Sequence, residues 1–391
     1  MKKQTLATFT PYARRDAYDA LSMPVYHAVA YEFDDAQTMS DAFTNKIVAP
    51  DYSRVENPTV THFERRVRSL TGAAHVTAMN SGMAAISVTL LAVAAQGKNI
   101  VTSTHLFGNT FSLITATLAR FGVTPRLVDL TDMEAVRRAV DDDTCCIFFE
   151  ILTNPQLEVV DIKALAEVAR AHRVPLIADS TAIPFTEMSL RELGVDYELV
   201  SSTKYLSGGA TSLGGLIIDY GNFEAVNQRI KYEMLFNLGS YMTPQVAFMQ
   251  TMGLETLDAR YRVQAANAQE LAQRLHDELA DQLTVNYIGL KDNPYYELAR
   301  RQFGPTSGAM MTIDLPSRDA CFAFINRLRL IHRATNLFDN KTLAIHPAST
   351  IFGNFTEEQL EAMDVKQTTI RLSVGLESVE DIFNDIKQAL A

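Results

Sequence analysis

Between Ile100 and about Ser202, short β-branched runs alternate with segments of helical period, and this alternation leaves few folds open. The clearest unit is DIKALAEVARAHRVPLIADST. Ile162, Leu165, Ala166 and Ala169 share one helical face, His172-Arg173 close the helix, and VPLIAD reads as a buried strand. Repeated strand–helix–strand units build a largely parallel sheet covered by helices. Asp179 then stands at the carboxyl end of its strand. By the same reasoning CCIFF hands over to Glu150 and the turn Thr153-Asn154-Pro155, and YELVS delivers Lys204. Ligands of open α/β sheets collect at the carboxyl edge of the strands. Three strands are therefore expected to direct polar groups into one crevice.

The chain has 391 residues, more than one small core holds. The alternating region predicts a large α/β domain over 51–240. After about Tyr241 a long helical stretch, mixed segments and a final amphipathic run, VEDIFNDIKQAL, predict a smaller α+β domain over 241–391. Residues 1–50, with SMPVYHAVAYEF and its aromatic anchors, read as an extended arm. The net charge of −11 disfavours nucleic acid or an anionic membrane as partner and leaves small molecules. The three cysteines, Cys145, Cys146 and Cys321, read as reduced buried thiols, because neighbours on a strand point to opposite faces. No stretch has signal-peptide or membrane-spanning character, so a cytoplasmic protein is expected and the acceptor triplet Asn354-Phe-Thr356 is idle.

The stretch VSSTKYLSGGATSLGG sets Lys204 after three hydroxyl residues and before four glycines. It is not a nucleotide loop, which needs its glycines ahead of the lysine and Ser or Thr behind it; Tyr205 follows here. GxGxxG, HExxH and CxxC are absent, and Ala210 occupies the first glycine position of a nucleophile elbow. No metal is expected. A lysine at a strand end suits covalent chemistry with a carbonyl, and pyridoxal phosphate couples such a carbonyl to a phosphate. Asp179 on the same edge suits a protonated pyridine nitrogen. Ser81-Gly82, before the apolar run of MNSGMAAISVTLLAVAA, suit a phosphate at a helix start. Singly, each has an ordinary use: a surface lysine, a turn aspartate, a serine cap. Their joint presence in one α/β frame is what points to a cofactor.

The stretches DYSRVENPTVTHFERRV, MNSGMAAIS, LTNPQLEVVDI, LIADSTAIPF, SSTKYLSG, LAIHPAST and TIRLSVGLESVEDI extend this pattern from about Met23 to the C-terminus. In this order they resemble the Cys/Met-metabolism group of pyridoxal-phosphate enzymes of fold type I, which includes cystathionine γ-synthases, cystathionine and methionine γ-lyases and O-acetylhomoserine sulfhydrylases. The resemblance implies that Lys204 binds the cofactor's aldehyde and Asp179 pairs with its ring nitrogen. It further implies that Ser81, Gly82, Met83, Ser201 and Thr203 hold the phosphate, and that Asn154 lies near the phenolic oxygen. Arg371, helped by Ser349, would clamp the substrate's α-carboxylate, a task to which a bidentate guanidinium is suited. Tyr52 and Arg54 would serve the neighbouring subunit's phosphate, implying dimers with shared sites assembled into a homotetramer. His346 reads as a packed core or turn histidine.

Two departures stand out. Phe107-Gly108-Asn109-Thr110 replaces a turn that usually begins with tyrosine, so Phe107 can stack on the cofactor without a phenol to move a proton. Asn109 stands where methionine γ-lyases place a cysteine. The runs NLFDNKTLAIHPASTIFGNFTEEQLEAMDV and YEFDDAQTMSDAF resemble the sulfhydrylase subgroup. That subgroup's reaction is γ-replacement on O-acetyl-L-homoserine by a sulfur nucleophile, giving homocysteine for methionine biosynthesis. The donor is left open among sulfide, a thiol and a protein-bound sulfur carrier. Cystathionine synthesis, γ-elimination and a cofactor-free binding role are the alternatives.

Overall fold

The computed structural model describes residues 1–9 and 18–391; the part of the expected arm between 10 and 17 lies outside the described residues. Two sheets organise the chain. The larger contains β1 (His75–Met79), β2 (Asn99–Thr102), β3 (Thr124–Leu127), β4 (Thr144–Glu150), β5 (Leu176–Asp179), β6 (Tyr197–Val200) and β7 (Gly215–Asp219), in the order β1-β7-β6-β5-β4-β2-β3. Neighbours from β6 through β3 are parallel, and β7 runs antiparallel to both β1 and β6. Every residue of β2, β6 and β7 is buried, which is why these strands read as continuous apolar runs rather than alternating ones.

The helix Ile162–His172 forms where the sequence indicates, with Asp161 accepting from Ala164 N at its start and Arg173 left-handed at its end. Helix Gly82–Val93 is apolar nearly all round and packs against β1, β6 and β7. Cys146 is fully buried on β4 and Cys145 half-buried; all three cysteines are free thiols.

The smaller sheet contains β8 (Thr284–Asn286), β9 (Met310–Asp314), β10 (His332–Arg333), β11 (Leu343–Ile345) and β12 (Thr369–Ser373), in the order β10-β11-β12-β9-β8. Only β10 and β11 pair in parallel. The long helical stretch divides at Thr256 into Pro244–Glu255, which packs on Pro58–Thr71, and Leu257–Glu278, which leads to the small sheet and packs on the C-terminal helix Val379–Leu390. Among the described residues, the N-terminal region carries the short helices Lys3–Phe9 and Ala36–Phe43. Lys3 Nζ ties the first of these to Phe185 O and Met188 O at 2.7 and 2.8 Å. Among the described residues, no helix is long and apolar enough to cross a membrane, and no cluster of metal-ligating side chains occurs.

Candidate active site

The carboxyl ends of β4, β5 and β6 meet the start of helix Gly82–Val93 around a cavity of about 330 Å³. The small sheet closes its far side with Met310, Thr335, Leu337, Phe338 and Arg371. Ten expected residues line this cavity: Lys204, Asp179, Ser81, Gly82, Met83, Phe107, Asn154, Ser201, Thr203 and Arg371. Each strand ends in the crevice because its apolar run stops where the polar turn begins.

Ser81 caps the helix by accepting from Ala84 N at 3.1 Å, so the N–H groups of Gly82 and Met83 have no acceptor within the helix. Gly82 is required by closeness: a Cβ there would stand 2.6 Å from Ser201 Cβ and 2.8 Å from its hydroxyl. Helix start and Ser201 thus form one cradle, with positive helix-end potential and a hydroxyl facing the same space. Thr203 Oγ1 lies beside it, accepting from Gly214 N at 3.0 Å.

Lys204 Nζ donates to Asn336 Oδ1 at 3.0 Å. Burial chiefly, and then the positive charge of Arg371, lower this amine to about 8, against the opposing pull of Asp179. Asp179 Oδ1 accepts from Thr181 N at 2.9 Å. Asp179 and Glu150 are register partners on adjacent strands, and burial raises both carboxyls. Glu150 is pushed up further, with Asp179 as its second cause, whereas Thr181 and Lys204 favour the ionised form of Asp179. Burial thus favours the neutral form of both, and the Lys204 charge opposes it at Asp179 alone. Glu150 Oε1 also accepts from Phe107 N at 2.6 Å, fixing the loop that presents the Phe107 ring.

Arg371 is only 2% exposed at the centre of β12. Its guanidinium donates to Asn154 Oδ1 at 3.1 Å and to Thr335 O and Asn336 O at 3.2 Å, while Nε has no partner. Burial alone lowers it to about 9. A buried cation facing only neutral acceptors is a receptor for an anion.

Three expected residues lie elsewhere. Ser349 does not line the cavity; it ends the 3-10 turn Pro347–Ser349, where its hydroxyl sits 2.8 Å from His346 Nδ1 beside a different cavity. The carbonyls of Thr335 and Asn336 hold Arg371 in its stead. Tyr52 is 41% exposed, and Arg54, 5.4 Å from its ring centroid, donates to Phe236 O at 2.6 Å in a separate cavity of about 230 Å³. His346 is the packed turn histidine expected, buried and bound through Nε2 to Gln367 O at 2.8 Å. The sequence reading assigned no role to Thr181 or Asn336, and placed Glu150 at a strand end without one. Glu150 had a signal in its position one strand from Asp179; Asn336 had none.

The residues fit pyridoxal phosphate on the structure's own terms. There is a cradle that a Cβ would fill, a buried amine, a buried carboxyl on the same edge and an orphaned guanidinium Nε. Comparison with known proteins agrees. L-methionine gamma-lyase of Fusobacterium nucleatum subsp. nucleatum is 35% identical, covering 100% of this chain and 99% of its own. O-acetylhomoserine sulfhydrylase of Wolinella succinogenes, described in its methionine biosynthetic pathway, is 40% identical over 86% of this chain and 97% of its own, with a TM-score of 0.77. The Campylobacter jejuni structure assigned as an O-acetylhomoserine (thiol)-lyase, which carries a pyridoxyl-lysine phosphate, superimposes with a TM-score of 0.96 at 30% identity, covering 100% of both chains. The family model for Cys/Met metabolism PLP-dependent enzymes matches residues 4–391. The chain belongs to that family, with its α/β fold and pyridoxal phosphate as its cofactor.

Proposed function

We propose that the protein catalyses γ-replacement on O-acetyl-L-homoserine, exchanging acetate for a sulfur nucleophile to give homocysteine. The observation that carries this reading is Arg371, a buried guanidinium with no anionic partner across the cavity from Lys204. It calls for a substrate carboxylate, and a bidentate grip there would hold the amino acid's Cα against the reactive centre. The 40% identity to the Wolinella succinogenes sulfhydrylase supports the choice of reaction within the family.

When bound, pyridoxal phosphate supplies an electron sink for the bonds at Cα and Cβ. The cradle of Gly82, Met83, Ser201 and Thr203 would hold its phosphate, and Asp179 would keep its ring nitrogen protonated. Phe107 would cover the ring face, and Asn154, tied to Arg371, would link the cofactor's rim to the carboxylate clamp. Lys204, lowered to about 8, is neutral in about a tenth of molecules at pH 7, far more than an ordinary lysine, as a base for the α-proton requires. The cavity's apolar lining, including Met83, Leu152, Leu337 and Ile351, limits the water that would compete with a sulfur nucleophile. Tyr52, exposed, and Arg54, half-buried, do not line the chain's own cavity and are proposed to complete the cavity of a second copy, in a homotetramer of such dimers.

The deciding experiment is product analysis of the cofactor-loaded protein given O-acetyl-L-homoserine with sulfide, with cysteine and with neither. Homocysteine and acetate with sulfide are expected. The 35% identity to a methionine gamma-lyase favours elimination as the second reading, and dominant 2-oxobutanoate and ammonia would establish it. Cystathionine from cysteine would point to the synthase reaction instead.

A further inference from the structure

The segment between β10 and β11 lies along the lysine segment and touches it at three points. Asn336 Oδ1 accepts from Lys204 Nζ at 3.0 Å. The Phe338 ring stacks on Tyr205, with centroids 4.1 Å apart and planes 11° from parallel. Asn340 Nδ2 donates to Gly208 O at 3.0 Å. Phe338 has a φ of 54°, a left-handed conformation that is strained for a non-glycine residue and persists only where its surroundings impose it. The stack on Tyr205 and the bond from Phe338 N to Ser373 Oγ at 2.6 Å impose it here. Asn336 therefore sits on a seat fixed from both sides.

The orientation of its amide follows from its other contact. Asn336 Nδ2 is 3.3 Å from Asp339 Oδ2, and Asp339 Oδ1 accepts in turn from Lys341 N at 3.1 Å. A carboxylate offers only acceptors, so the NH₂ end must face it and the oxygen must face Lys204. Asn336 thus presents to the lysine a group that holds its amine and supplies no proton. Its main-chain carbonyl meanwhile accepts from Arg371 Nη2 at 3.2 Å. One residue grips the amine through its side chain and the carboxylate clamp through its backbone.

We infer that Asn336 is a positioning residue for proton transfer by Lys204: it receives the amine when the lysine is free of the cofactor and registers it against the carboxylate held by Arg371. The inference rests on the roles proposed above for Lys204 and Arg371. Its physical need is plain, because a four-carbon stem with a free amine samples many rotamers, and proton transfer rewards only the few that reach Cα.

The test compares wild type, Asn336→Leu, which keeps the shape and removes the acceptor, and Lys204→Ala. The first readout is exchange of the Cα hydrogen of L-alanine with solvent deuterium, followed by NMR on the cofactor-loaded proteins. The second is the L-alanine dissociation constant from the cofactor's absorbance. The third, independent of turnover, is the pH midpoint at which the cofactor-free protein takes up pyridoxal phosphate. Asn336→Leu is expected to slow exchange about 10-fold or more while changing the dissociation constant less than about 3-fold. The uptake midpoint should fall by about half a pH unit, since an acceptor favours the charged amine. Exchange within about twofold of wild type, or a loss of exchange matched by an equal loss of L-alanine binding, overturns the inference. If Lys204→Ala keeps the exchange, the lysine reading itself fails; if it abolishes exchange that Asn336→Leu leaves intact, only the role of Asn336 fails. Asn336→Ala, which adds no bulk, gives the same comparison should leucine disturb the segment.

Discussion

Arg371→Met separates a structural arginine from a receptor, because the two roles predict different stabilities. Truncating one partner of a buried ion pair commonly costs about 3–5 kcal/mol, most of it from the charge left behind. Arg371 leaves no charge behind: its acceptors are the Asn154 amide and two carbonyls, and burial is the one cause of its lowered value. A guanidinium lowered by burial from its ordinary value to about 9 bears a burial cost on the order of 4–5 kcal/mol. Against this stand three hydrogen bonds from a cation, each worth about 1.5 kcal/mol or somewhat more. Thr335 is exposed, so its carbonyl returns to water in the variant. The two nearly cancel, so the substrate-free variant should lie within about 2 kcal/mol of wild type. At about 2.1 cal/mol/K per residue, that is a melting midpoint within about 3 °C of wild type, readable by calorimetry. Affinity for L-alanine should meanwhile fall at least about 30-fold, the loss of a charge-assisted pair worth about 2–5 kcal/mol. A midpoint lowered by more than about 3 °C, or an unchanged affinity, refutes the reasoning.

Three further outcomes follow from the same geometry. Gly82→Ala puts a Cβ 2.6 Å from Ser201 Cβ, where carbon atoms prefer about 3.5–4.0 Å, so the cradle must open and the cofactor's dissociation constant should rise about 10-fold or more; unchanged titration would show that the cradle does not hold the phosphate. The rate at which cofactor-free protein takes up pyridoxal phosphate should rise with pH and level off above about 8, because the neutral amine attacks and Lys204 is lowered to about 8; a rise continuing to the ordinary lysine value near 10.5 would contradict its burial. Phe107→Tyr restores a phenol on a loop held by Glu150, and should shift the rate or the replacement-to-elimination ratio at least about twofold; constancy of both would show the hydroxyl to be irrelevant here.

The part of the site built on the large sheet was legible because strand ends are set locally. VPLIAD ends at Asp179, YELV at Val200 just before Lys204, and a serine before an apolar helix starts at Ser81, each from its own dozen residues. What joins separate stretches was not legible. The register that sets Glu150 beside Asp179 depends on how β4 and β5 slide against each other, which neither strand's sequence states. Ser349 shows the same limit. It lies close to β11 in sequence, as does Asn336, yet the 3-10 turn after the strand carries Ser349 to His346, while the segment before the strand crosses to Lys204. Which flank of β11 reaches the cavity is decided by the seating of the small sheet on the large one, through Phe338 on Tyr205 and Asn340 on Gly208.

The cavity is held together by groups that remain unneutralised, and the fold distributes them so that no two cancel. Burial lowers both Arg371 and Lys204, the Arg371 charge lowers Lys204 further, and neither is given a carboxylate at ion-pair distance among the described residues. Asp179 is the carboxyl that Lys204 pulls toward its anion, whereas burial and the charge of Asp179 push Glu150 toward its neutral form. Two ionised carboxylates on that edge would oversupply negative charge where a ring nitrogen needs one partner. A carboxyl at position 150 in its neutral form can still accept from Phe107 N and fix the loop. Replacing Glu150 by glutamine should therefore spare the site, whereas replacing Asp179 by asparagine should not. The asymmetry comes from Lys204 and the Thr181 hydroxyl, which favour the ionised form of Asp179 and have no counterpart at Glu150, while both carboxyls accept main-chain N–H groups.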